Sequence, residues 1–462
     1  MAANTAQEQL MLELINRARM DPAGEAARQG ISLNQGLAAG TISTAPKQVL
    51  AMSDQLVAAA DNHSNWMLIN DQFNHQESAA FPSGRTGLNP NDRMTAAGYV
   101  LAGPAIAYGE NISWTGVLPG PINVTSAIIA QHRSLFLSPG HRTNILNAGF
   151  EEVGIGQQHG AFLSGGTNYD ASMVTQNFAL SGSKVFATGV VYNDAVNDNF
   201  FSVGEQVVGR GITATGGVSD VTGGGGGYEL AFTAGGYKAL TFDLATGPVG
   251  VLVGVGTTNV KVDVVNGREV WTNASLNATT SNVTEIHALG IQSLILSGST
   301  GNEAIIGNAA TNTLLGGAGN DYLTGAGGHD RVVGEAGNDK LVCGPGVDTL
   351  TGGAGHDTFV FSGPPGTSAN RDVITDFSHV DDTFQLENAF FTKLGALSGA
   401  HMLAPAYFRA GPAALDGNDY LVYNQTNGAL YYDSNGSVAG GAIQIAALSN
   451  RPVLAANDFV VI

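Results

Sequence analysis

The sequence predicts a multidomain chain with an α+β N-terminal domain, a small β-sandwich module, a parallel β-roll and a β-rich C-terminal segment. Three observations predict it. Over about the first 180 residues, apolar positions at helical spacing alternate with short strand-like runs. From about 184 to 290, runs of β-branched residues are separated by glycine-rich turns, as in sheet-on-sheet modules. From 298 to 360 the chain repeats with a period of nine, seven units without a slip in register. The expected boundaries are 1–182, 183–290, 291–361 and 362–462, and four domains suit a chain of 462 residues.

Composition narrows the function classes. Acids outnumber bases 38 to 19. That excludes the basic footprint a nucleic-acid partner requires and suits a hard cation such as Ca²⁺. The single cysteine, Cys343, excludes an intramolecular disulfide framework and a cysteine-based zinc finger. No apolar run reaches the roughly 18 residues of a transmembrane helix. The first ten residues lack the basic and apolar regions of a cleaved export signal.

Element by element, Leu10, Met11, Leu14, Ile15 and Ala18 share a helical face. A second helix starts after Ser53 as N-cap and carries Leu56, Val57, Ala60, His63, Trp66 and Met67. A third covers about 125–137 and is broken by Pro139 and Gly140, with a short helix restarting at His141. Strand-like runs follow at 152–156 and 173–178. In the β module, runs at 185–192 and 259–265 read as strands, and Asn266-Gly267 signals a type I′ hairpin. The run 223–227 is a glycine loop.

The nonapeptide has a physical logic. Positions one and four are Gly in six of seven units each, because tight turns need positive φ. Position eight is apolar in all seven, so stacked turns share a narrow core. Position six is Asp in the last five units: Asp321, Asp330, Asp339, Asp348 and Asp357. Two nonapeptides make one coil, so Asp321 stacks on Asp339, Asp330 on Asp348 and Asp339 on Asp357. Facing carboxylates repel unless a cation lies between them. Carboxylate and backbone oxygens, the latter at Gly319, Gly328, Gly337, Gly346 and Gly355, are what Ca²⁺ takes. The early units carry Glu303 and Asn312 instead, as weak sites or caps. Cys343 replaces a position-one Gly; it reads as a tolerated small residue, with no base near it in sequence.

This segment resembles the RTX family of hemolysin-type calcium-binding repeats. Residues 371–377 (Arg-Asp-Val-Ile-Thr-Asp-Phe), 381–386 and 429–433 are similar to the segment that follows such repeats in serralysin-like exoproteins. The ending, Asp458 before Phe-Val-Val-Ile, resembles their uncleaved signal for the type I secretion apparatus. The resemblance implies a secreted or cell-surface protein of a Gram-negative bacterium, folded by Ca²⁺ outside the cell.

The N-terminal part resembles the CAP superfamily, the SCP or pathogenesis-related-1 fold. The resemblance rests on residues 11–19, 60–67, 73–75, Gly109-Glu-Asn-Ile112, 138–146 (Ser-Pro-Gly-His-Arg-Thr-Asn-Ile-Leu), Val153-Gly-Ile-Gly156 and Thr175-Gln-Asn-Phe178. It implies an α-β-α sandwich over about 6–180 and a cleft with two His and two acids. His75, Glu110 and His141 match three of the four; the last falls near Ser138, which is not acidic. Two His and one carboxylate can hold Zn²⁺ with an open position for water. The rival reading gives these residues to loop hydrogen bonds. His63 and His132 lie among apolar neighbours and read as core residues.

Residues 194–205 place Asp194, Asp198, Ser202 and Glu205 at calcium-loop positions 1, 5, 9 and 12, though Val196 at position 3 cannot ligate. No His-Glu-x-x-His, Gly-x-Ser-x-Gly, Walker A or dinucleotide motif occurs. The expected function is a calcium-dependent secreted protein whose CAP domain binds a lipid, glycan or protein. The alternatives are a metal-dependent hydrolase at the CAP cleft and a matrix or surface-layer component.

Overall fold

The computed structural model describes residues 4–78, 88–101, 108–180, 182–365, 371–395, 399–438 and 440–462; the side chain of Cys343 lies outside the described set. The chain forms two compact units. One comprises the chain up to Gly247 with Gly254–Gly267, the other Pro248–Val253 with Arg268–Ile462.

Among the described residues the first unit opens with six helices: α1 (Ala6–Met20), α2 (Pro22–Arg28), α3 (Asp54–Ile69), α4 (Pro90–Ala96), α5 (Val124–Leu137) and α6 (Pro139–Ile145). Thr5 and Glu8 close a reciprocal capping box on α1. The short helix begins at Pro139 and not at His141, since proline at a first helical position lacks only an amide that would be unpaired anyway. The strands form a four-stranded sheet in the order Ala51–Met52, Glu152–Ser164, Thr167–Ala179, Tyr108–Val117. The central strand is buried without a break from Ala171 to Ala179, so both faces are covered, as an α-β-α sandwich requires. Helix α3 lies on the sheet backbone to backbone. A Cβ on Gly154 would stand 1.9 Å from the Leu56 carbonyl carbon, and one on Gly156 would stand 2.2 Å from the Asp61 nitrogen. That contact explains the Val-Gly-Ile-Gly run.

In the same unit, Lys184–Tyr192 pairs antiparallel with Gly227–Thr233 and parallel with Val260–Val265. Gly211–Ala214 pairs antiparallel with Ser219–Val221 and Tyr237–Phe242. Tyr228 of one sheet meets Phe242 of the other edge-on, ring centroids 5.4 Å apart. This sheet region shares a core with the helical part. Lys261 is buried between Glu13 of α1, at 2.8 Å, and Asp263. Asn259 donates from Nδ2 to the carbonyls of Val49 and Glu151 at 3.0 and 2.7 Å. Asn266 and Gly267 both have positive φ, 53° and 70°, as a type I′ turn needs.

The second unit is built around a coil of two parallel ladders, with antiparallel pairs at Val251 and Ala278 and between Leu421–Asn424, Ala429–Asp433 and Ala442–Leu448. Thr313, Arg331 and Thr349 are in register on one, and Ala304, Tyr322, Lys340 and Thr358 on the other, each step 18 residues. Position eight lines the interior: Ile305, Leu314, Leu323, Leu341, Leu350 and Phe359 have no exposed surface. The ladders run past the compositional boundaries. Upstream, Glu285–Ala288 pairs with Glu269–Thr272, and Leu276–Ala278 with Ile295–Ser297. Downstream, Leu350 pairs with Ile374 and Phe359 with Phe384, after longer turns. The last strand, Phe459–Val461, adds parallel to Thr383–Leu386, with the Phe384 and Phe459 rings stacked at 4.9 Å.

Candidate functional site: a ladder of buried carboxylates

The five repeat aspartates are 1–3% exposed. They stand in two columns, and each backbone amide donates to Oδ1 of the acid one coil on. Asp321 N–H meets Asp339 at 2.8 Å, Asp339 N–H meets Asp357 at 2.9 Å, and Asp330 N–H meets Asp348 at 2.8 Å. The other carboxylate oxygen is different. Oδ2 of Asp321, Asp330, Asp339 and Asp357 is buried with no hydrogen-bond partner. Position-one glycines make its room: a Cβ on Gly334 would stand 2.2 Å from Asp339 Oδ2. Position-four glycines let the coils stack. A Cβ on Gly337, where φ is 142°, would stand 1.6 Å from the Gly319 carbonyl oxygen.

Burial, and then the charges of Asp321 and Asp357, push the Asp339 carboxyl up to about 6. Asp321, Asp330 and Asp357 are likewise raised to about 6, burial first. Buried anionic oxygens without a donor are costly and require a positive partner. Carboxylate oxygens of this kind are ligands that Ca²⁺ takes. The residues present therefore fit the ion, which when bound would neutralise adjacent coils.

The early units are capped by their own side chains. Glu303 turns back to Ser299, accepting from its hydroxyl at 2.6 Å and its amide at 3.1 Å. Asn312 accepts from the Leu294 amide at 3.0 Å and donates to the Ala310 carbonyl at 2.8 Å. At the other end the columns close on residues that sequence reading missed. Asp348 donates its amide to Asp372 and Asp357 donates to Asp382, both at 3.0 Å. Their spacings, 24 and 25 residues, break the period. The signal was local: Asp372-Val-Ile374 and Asp382-Thr-Phe384 repeat the Asp-x-apolar step of Asp357-Thr-Phe359. A second, exposed ladder at position five was also missed, with Asn302 accepting from Asn320 at 2.8 Å and Asn320 from Asn338 at 2.7 Å.

In the N-terminal cleft, His75 Nδ1 lies 2.9 Å from Glu110 Oε1. The other Glu110 oxygen is held by Arg93, whose guanidinium also donates to the His75 carbonyl at 2.9 Å. His63 is fully buried, stacks on Trp66 and bonds Glu77 at 3.1 Å, with Nε2 3.9 Å from Glu110. Burial alone raises Glu110; the His75 hydrogen bond and Arg93 outweigh it and hold the carboxyl low. Burial, then His75, lowers His141.

The zinc alternative finds no support in this cleft. Arg93 already supplies a positive charge to Glu110, and His75, Glu110 and His141 do not gather one ligand atom each within 4.8 Å of one another. Among the described residues the trio that gathers within 4.8 Å is Glu269, Glu285 and His287, where Glu285 and His287 already pair at 2.8 Å. Neither Arg93 nor Glu77 was singled out from sequence, because nothing local marks a residue that reaches a cleft. His132 lies in the core, as expected, 3.3 Å from Glu25.

The loop 194–205 spends its acids on its own backbone. Asp194 accepts the amides of Asp198 and Asn199 at 3.2 and 3.0 Å. Glu205 accepts those of Ala195 and Ser202 at 2.9 and 2.8 Å. Asp198 accepts the Phe200 amide at 3.0 Å.

Comparison with known proteins agrees with this anatomy. The family model described as the cysteine-rich secretory protein family, CAP, matches residues 12–178. The model of the RTX calcium-binding nonapeptide repeat matches 297–332 and 324–359. The chain thus carries a CAP domain followed by RTX calcium-binding repeats. Among solved structures it is similar to an extracellular SCP-domain protein of Bacillus anthracis, at 21% identity and TM-score 0.24, over 38% of this chain and 40% of that one. It is also similar to a subunit of the mannuronan C5-epimerase of Azotobacter vinelandii, at 25% identity and TM-score 0.21, over 34% of this chain and 76% of that one. The chain spans less than half the length of the Bacillus protein. No curated protein matches it. Among the described residues no helix is long and apolar enough to cross a membrane.

Proposed function

We propose that this is a secreted protein of a Gram-negative bacterium. Its RTX roll is an export and folding device, and its CAP domain is an extracellular binding module for a lipid, glycan or protein. The observation that carries the reading is the set of four buried Oδ2 atoms without partners. Where Ca²⁺ is scarce, the stacked aspartates oppose closure, and an open chain suits threading through the type I apparatus. The terminal strand supports the same order of events: Phe459 and Val461 are fully buried once folded, so any reading of that segment precedes folding. Outside, millimolar Ca²⁺ meets sites of extracellular strength, about 10⁻⁴–10⁻³ M, and drives folding by mass action. A role in binding is favoured over hydrolysis because Glu110 is neutralised by Arg93. Circular dichroism with and without chelator tests the proposal. A gain of β signal on adding Ca²⁺ is expected; an unchanged spectrum on chelation sinks it.

A further inference from the structure

We infer that the first unit carries a self-modification site, at which Lys261 Nζ and the Asp263 side chain condense to an amide while Glu13 moves the protons.

The three groups meet deep inside the unit. Glu13 on α1, and Lys261 and Asp263 on the strand Val260–Val265, are 3–5% exposed. Residues two apart on a strand point to the same face. Lys261 Nζ lies 2.8 Å from Glu13 Oε2 and also contacts Asp263 Oδ1. One amine therefore faces two carboxyls, so one carboxyl can react while the other carries protons.

Each carboxyl is held for its own task. The Val190 amide donates to Asp263 Oδ1 at 2.9 Å, which draws electron density from Cγ. A Cβ on Gly189 would stand 2.8 Å from that oxygen, so a side chain there would displace it. Glu13 Oε1 accepts from Gln9 Nε2 at 2.8 Å, and Gln9 Oε1 accepts from Asn4 at 2.9 Å, which leaves Glu13 Oε2 to the amine. The Tyr228 hydroxyl donates to the Val262 carbonyl at 2.6 Å and so fixes the backbone between the two reacting residues. Tyr192 and Tyr228 are themselves buried, and the charges of Asp263 and Glu13 add to burial in raising their hydroxyls. Burial raises the Asp263 carboxyl; Lys261 opposes the rise and Glu13 adds to it. The neutral acid, the form whose hydroxyl can leave, is thereby favoured.

The step balances without an oxidant or a co-reactant. Glu13 Oε2 takes a proton from the Lys261 ammonium, as a general base. The freed Nζ lone pair attacks Cγ of the Asp263 acid; the Nζ–Cγ bond forms and the bond from Cγ to the hydroxyl breaks. The hydroxyl leaves as water with a second proton from nitrogen, relayed by Glu13. One ammonium, one carboxylate and one acid become an amide, a neutral Glu13 and one water. Two buried charges disappear, and charges held away from water are costly, so the exchange favours the amide. Fixed proximity replaces a chance encounter between amine and acid.

Mass spectrometry tests this on the full chain, purified folded in Ca²⁺ and then denatured. The intact mass should be one water below that of the sequence. Trypsin should leave residues 239–268 as one peptide, also one water light, because it does not cut after an acylated lysine. Lys261→Arg and Glu13→Gln should each restore the full mass. The parent's own mass decides the matter even where a variant folds poorly. A full mass in the folded parent overturns the proposal. So does a light peptide that trypsin still cuts after Lys261, which marks a cyclised aspartate, or one joined to residues 1–17, which makes Glu13 the acyl partner. An unchanged loss of water in either variant overturns it equally.

Discussion

Replacing Asp339 by Asn should change stability in opposite directions with and without calcium. Asp339 stands mid-column: its Oδ1 accepts the Asp321 amide at 2.8 Å and its own amide donates to Asp357 at 2.9 Å. Asn keeps an oxygen acceptor there and removes the charge from the buried, unpartnered side. The Asp339 carboxyl is raised from 3.8 to about 6 in the fold. Two units correspond to about 2.7 kcal/mol, and solvent at the edge of the turn reduces this to about 1–2 kcal/mol. The sign follows from the direction of the shift. The folded, calcium-free form favours the proton, so the favourable contribution is full below pH 3.8 and lost as pH rises through about 6. Asp339→Asn should therefore stabilise the calcium-free roll by about 1–2 kcal/mol at neutral pH and hardly at all near pH 4. With calcium the effect reverses. A site of 10⁻⁴–10⁻³ M strength contributes about 1.4–2.7 kcal/mol at about 10 mM Ca²⁺, and the variant loses a ligand to it. Thermal melts by circular dichroism, at both pH values and with chelator or Ca²⁺, read all four conditions. A variant less stable than the parent without calcium at neutral pH, or one with an unshifted calcium midpoint, would refute the reasoning.

Three further outcomes follow from the geometry. Gly337→Ala puts a Cβ 1.6 Å from the Gly319 carbonyl oxygen at a φ of 142°. It should cost the roll at least about 3 kcal/mol, seen as a raised calcium midpoint for folding. Lys261→Met leaves Glu13 and Asp263 buried without their cation. It should destabilise the first unit by about 3–5 kcal/mol in urea unfolding, and adding Glu13→Gln should restore part of the loss. His141→Ala should leave the zinc content of the purified protein unchanged, because Arg93 already pairs with Glu110; zinc lost with the imidazole counts against that reasoning.

Much of the roll was legible because its causes are local and periodic. Leu323 and Leu341 follow their aspartates by two residues, and one 18-residue coil places each set in register. The cap residues Asp372 and Asp382 were hidden because the turns before them are longer, which destroys the period while keeping the pairing. In the N-terminal domain, segments such as Gly109-Glu-Asn-Ile112 were readable as a resemblance, and α1, α3 and α5 by helical spacing. The occupant of the cleft was not. Arg93 lies 17 residues before Glu110, on α4, and the two meet only in the tertiary structure.

The order of residues by itself determined the nonapeptide coil, its aspartate columns, the main helices and the acidic character of the chain. Periodicity, turn chemistry and charge count act over a few neighbours, so no fold is needed to read them. Only the tertiary structure decided that the strand at 260–265 is tied to the helical domain through Lys261, and that the cleft acid pairs with an arginine. Those outcomes depend on which distant side chains are desolvated together, and burial is a property of the assembled chain rather than of any segment.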